Sequence, residues 1–103
     1  MNVDMKDSPP SSLAERVKLL RSFVGESART VAETAGLAHS LVPFIENGER
    51  LDPRASTVLA LGRIFGVSAE WLVDGEGELP TQEAVIAAFE KARGSQATEA
   101  LSQ

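Results

Sequence analysis

Apolar residues recur at helical spacing in six stretches of this chain, separated by glycine- or proline-containing breaks. In the first, Leu13, Val17, Leu20 and Val24 fall at i, i+4, i+7 and i+11, the stripe of an amphipathic helix with one buried face. Ser12 precedes it as an N-cap, Glu15 sits where it completes a capping box, and Gly25 ends it. The second stretch opens on Ser27, another capping residue, and runs to about Ala35 with Val31, Ala32 and Ala35 on one side. Gly36 supplies the left-handed backbone that turns the chain, and Leu37 follows as an apolar plug. The third stretch turns Val42 and Ile45 inward and stops at Asn47-Gly48.

The pattern continues in a helix from about Arg54 to Phe65, with Val58, Leu61, Gly62 and Phe65 on its inner stripe. Gly66 stops it and Val67 plugs the turn. Ser68 caps a fifth helix that carries Trp71 and Leu72 into the core and ends at Asp74-Gly75. Residues 75–80, GEGELP, read as a linker. Thr81 then caps a helix from about Gln82 to Arg93, with Val85, Ile86, Phe89 and Ala92 on one side. A short amphipathic helix is unstable alone in water, so this one must dock on its own domain or on a second subunit. Residues 1–11 are polar with a proline pair and read as a flexible arm, and residues 94–103 as a frayed tail. The expected fold class is all-α: a five-helix domain over residues 12–76, then a linker and appended helix over 77–103.

Residues 27–48 organise the rest, because two short helices flanking a glycine are the layout of a helix-turn-helix. Pro43 constrains its second helix. A helix beginning at Ala38 would hold this proline in its interior, at a cost of roughly 3 kcal/mol. A later start puts Pro43 near the first turn, where proline is tolerated.

The segment resembles the Cro/phage-repressor helix-turn-helix family, also called the xenobiotic-response-element family. The matching residues are Ser27, Ala32, Gly36, Leu37, Val42, Ile45, Glu46, Gly48 and Pro53, continuing to Thr57, Leu61, Gly66-Val67-Ser68 and Trp71-Leu72. The resemblance implies a five-helix repressor-like domain whose second motif helix enters the DNA major groove. It implies that Arg21 pairs with Glu46 to fix the first helix against the motif, and that Asn47, Arg50 and Arg54 meet phosphates. The candidate DNA-binding set is therefore Ser27, Ala28, His39, Ser40, Leu41, Phe44, Asn47, Arg50 and Arg54. The chain departs from the family at Ala28, where glutamine is common, and at Ala38, which replaces a polar cap. Only His39 and Ser40 of the second helix offer hydrogen bonds to base edges, while Leu41 and Phe44 offer apolar contact, such as to a thymine methyl.

Composition narrows the function classes. Cysteine and tyrosine are absent and there is one histidine, which leaves little for nucleophilic or acid–base catalysis and no thiolate metal site. No enzyme activity, cofactor or metal is expected. The polar N-terminus and the lack of a long apolar run point to a cytoplasmic protein without a signal peptide or membrane span. The formal net charge is −5, and all of it falls in residues 64–103; residues 1–63 are neutral. A neutral motif region lacks the basic stripe usual in DNA readers.

Two functional readings follow. In the first, the chain is a transcriptional regulator that binds double-stranded DNA at a two-fold operator, as a homodimer joined through its C-terminal helix. In the alternative it is a protein-interaction module that keeps the fold and binds a partner protein through Leu41, Pro43 and Phe44.

Overall fold

The computed structural model describes residue 10 and the stretches 12–48 and 54–102. The described residues contain six helices: α1 (Leu13–Val24), α2 (Ala28–Ala35), α3 (Leu41–Glu46), α4 (Ala55–Phe65), α5 (Ala69–Asp74) and α6 (Gln82–Ser102). The expected N-caps form. Ser12 Oγ accepts from the Glu15 amide at 3.1 Å, Ser27 Oγ from Thr30 at 3.1 Å, Ser68 Oγ from Trp71 at 3.0 Å and Thr81 Oγ1 from Ala84 at 3.2 Å. Between the motif helices, Gly36 adopts φ 74°, which lets the Leu37 amide reach back to the Ala32 carbonyl at 2.8 Å and closes α2.

One core serves all six helices. It gathers Val17 and Leu20 of α1, Val31 and Ala32 of α2, Val42 and Ile45 of α3, Val58, Leu61 and Phe65 of α4, and Trp71 and Leu72 of α5. Gly62 faces the turn after α4: a Cβ there would stand 2.6 Å from the Val67 carbonyl oxygen. Its small size is thus required by backbone, not by a facing side chain.

The sixth helix departs from expectation in two ways. It continues through Ser102, past the end expected at Arg93. Its inner face also closes the core of its own chain. Val85 and Phe89 are fully buried, and the Phe89 ring stacks on Phe65 with centroids 5.7 Å apart and planes 15° from parallel. Gln82 Nε2 donates to the Phe23 carbonyl at 3.2 Å, and Arg93 both pairs with Glu26 at 3.0 Å and lies 5.7 Å over the Phe89 ring. The apolar face on which a dimer contact was expected is therefore largely taken up within its own chain. Val85 and Phe89 are spent on the core, and of the original four only Ile86 remains exposed.

Candidate nucleic-acid interface

The motif is assembled by α2, the turn through Gly36–Ser40, and α3. Pro43 decides where α3 begins. The chain enters through a single turn closed by the Leu41 amide on the Ala38 carbonyl at 3.0 Å, and the helix proper starts at Leu41. Pro43 is then its third residue, where an amide would have no partner within the helix, so the missing N–H costs no helical hydrogen bond. Ser40 occupies the N-cap position without a side-chain capping bond, so its hydroxyl is not spent there.

Burial sorts the candidate residues. Val42 and Ile45 are buried, which turns His39, Ser40, Pro43, Phe44 and Asn47 outward. Phe44 is 43% exposed, a large apolar ring standing in solvent, while Leu41 is only half-buried. Ala28 is half-buried at the start of α2. Ser27 is exposed, but its hydroxyl is engaged with the Thr30 amide and with Thr30 Oγ1 at 3.1 Å. Arg54 is exposed at the N-cap of α4. Arg50 lies outside the described residues.

The placement of α3 is set from behind. Glu46, at the last residue of α3, accepts Arg21 Nε at 2.7 Å and Nη2 at 2.9 Å, a two-pronged guanidinium–carboxylate pair between α1 and α3. The third nitrogen, Nη1, donates to the Glu26 carbonyl at 3.1 Å, so the same side chain also fixes the bend before α2. The hydrogen bond to Glu46 raises the pKa of Arg21, against a smaller opposing effect of burial.

Two charged residues outside the sequence-derived set shape this region. Glu33, on the outer side of α2, places Oε2 3.2 Å from Arg29 Nε and 3.1 Å from His39 Nε2, bridging α2 to the turn before α3. The i, i+4 spacing from Arg29 is visible in sequence; the reach to His39 depends on the turn geometry. Arg16, buried in α1, donates to the carbonyls of Leu72 at 2.7 Å, Val73 at 2.9 Å and Pro10 at 3.2 Å. It satisfies the open carbonyl end of α5. No spacing rule links it to residues 56 and 57 positions away; the local sign of burial is its place between Leu13 at i−3 and Leu20 at i+4.

Among the described residues no group of three or more metal-ligating side chains is gathered, and no helix is long and apolar enough to cross a membrane. Comparison with known proteins extends the geometry. The HTH-type transcriptional regulator PrtR of Pseudomonas aeruginosa is 30% identical over 80 residues, covering 78% of this chain and 30% of the relative. The chain thus spans about a third of that protein's length. No solved structure matches the chain significantly. A family described as a helix-turn-helix domain matches residues 14–78, from the first turn of α1 into the linker before α6. With that match over more than half its length, the chain belongs to the repressor-type helix-turn-helix domain family.

Proposed function

We propose that this protein is a non-enzymatic, cytoplasmic transcriptional regulator that binds a two-fold DNA operator as a homodimer. The observation that carries this reading is the exposed turn into α3, His39 and Ser40, mounted on a family motif that the Arg21–Glu46 pair ties to α1 from behind. Residues 38–46 dock in the major groove, with His39 and Ser40 at base edges and Phe44 and Leu41 against apolar base surface such as a thymine methyl. Asn47, Arg50 and Arg54 hold phosphates, and the amide end of α2 at Ser27 and Ala28 faces the backbone of the duplex. Occupancy of the operator regulates the adjoining promoter. The second copy joins through apolar surface outside the core, for which Leu59, Val73, Leu79 and Ile86 are the exposed candidates.

A rival reading is favoured by one feature. Phe44, exposed beside Pro43, which is also exposed, and next to half-buried Leu41, forms an apolar ridge on the outer face of α3. Under that reading the ridge anchors a partner protein. Two substitutions separate the readings in a low-salt mobility-shift assay. Arg54→Ala weakens binding to all duplexes about equally if α4 meets phosphate. Phe44→Ala changes sequence preference if α3 reads DNA, and leaves DNA untouched while abolishing partner capture if the ridge is a protein site.

A further inference from the structure

Glu33 links two side chains that the motif would otherwise leave independent. One carboxylate oxygen, Oε2, faces both Arg29 Nε at 3.2 Å and His39 Nε2 at 3.1 Å. All three side chains are about half exposed or more, so the cluster contributes little to stability. Its consequence is chemical. An ionised carboxylate only accepts, so the imidazole nitrogen beside it carries the hydrogen. In neutral imidazole the other nitrogen, Nδ1, is then an acceptor. Nδ1 has no hydrogen-bond partner among the described residues.

His39 stands two residues ahead of Leu41, at the end of α3 that meets base edges in a motif of this kind. In the major groove, adenine and cytosine present exocyclic amino donors, whereas guanine and thymine present oxygen acceptors at the corresponding positions. We infer that Glu33 is a positioning residue that fixes His39 as an acceptor, and so makes the chain select adenine or cytosine where His39 meets the operator. This inference rests on the DNA-binding reading above and specifies the base that reading leaves open.

The experiment is selection from random duplexes with the full chain at pH 8, above the range in which histidine ordinarily titrates. Wild type, Glu33→Leu and His39→Ala are compared. Leucine removes the acceptor but keeps a good helix former, and circular dichroism checks that each variant is folded. Since His39 is the only histidine, His39→Ala removes every imidazole from the chain. The expected result is one position per half-site at which wild type favours adenine or cytosine by about fivefold, the discrimination of a single hydrogen bond. His39→Ala erases that preference, and Glu33→Leu lowers it toward parity by admitting guanine or thymine, with the remainder of the site unchanged. A guanine or thymine at the His39-dependent position, an unaltered preference in Glu33→Leu, or no position that depends on His39 overturns the inference while leaving DNA binding intact. A folded wild type that enriches no duplex overturns the DNA reading itself, and the inference with it.

Discussion

Arg21 and Glu46 join α1 to the end of α3 through two hydrogen bonds of 2.7 and 2.9 Å, with side chains 33% and 8% exposed respectively. The asymmetry decides what each deletion does. Arg21→Ala strands a nearly buried carboxylate, and we expect a loss of about 2 kcal/mol, the scale of hydrogen bonds to a charged group. A fully buried pair would cost more, about 3–5 kcal/mol, but solvent reaches the guanidinium. Urea denaturation of the variant measures this. Because Glu46 raises the pKa of Arg21, the arginine's contribution is complete below its unfolded-state value and fades only in strong alkali, above the folded-state value. Stability should therefore show no loss from this group between neutral and moderately alkaline pH.

Arg16 is 5% exposed and spreads its donors over three carbonyls. Arg16→Lys keeps the charge but not the planar fork, so it cannot reproduce that set. We expect Lys to destabilise the protein by roughly 1–3 kcal/mol, with the loss of protection concentrated in α5. Hydrogen exchange across residues 69–75 is the measurement. Equal loss across all helices would mean that Arg16 supports the core generally and not the end of α5.

Gly62→Ala sets two effects against each other. Alanine improves helix propensity by about 1 kcal/mol. The added Cβ would meet the Val67 carbonyl oxygen at 2.6 Å, and forcing that turn apart costs typically 1–3 kcal/mol. The net result is destabilisation, read as a lower thermal midpoint; a higher one would show that the turn yields freely.

For α6, Phe89→Ala removes a ring stacked on Phe65 inside the core and should cost about 3–5 kcal/mol. Removing residues 79–103 uncovers the same surface, so the shortened chain should unfold or aggregate and not persist as a folded monomer. A truncated chain with native-like cooperative melting would show that α6 is dispensable to the core.

Most of the fold was legible because local chemistry set it. Serines at 12, 27 and 68 and glycines at 25, 36, 66 and 75 bracket helices with clear apolar stripes. The stripe of α6 was equally legible, but a stripe says only that a face is buried, not by what. Its partners, Phe65 and the α1 side, lie too far along the chain for periodicity to name them. The late start of α3 could be argued from Pro43 alone, since proline's cost depends on its place in the helix. The Glu33–His39 contact and the reach of Arg16 to α5 were not legible, because each is created by a turn or a long-range packing arrangement that no local spacing encodes.

The most direct test of the central claim is selection of genomic fragments by purified protein at low salt, followed by the salt dependence of the fragment it retains. Each phosphate contact contributes roughly −0.9 to the slope of log affinity against log salt. A dimer using Arg50 and Arg54 from each copy should bind a two-fold site with a shallow slope of about −4, as expected for a motif region without net positive charge. Failure to retain any fragment at low salt would contradict the DNA-binding account and leave the apolar ridge at Leu41, Pro43 and Phe44 as the working surface of α3.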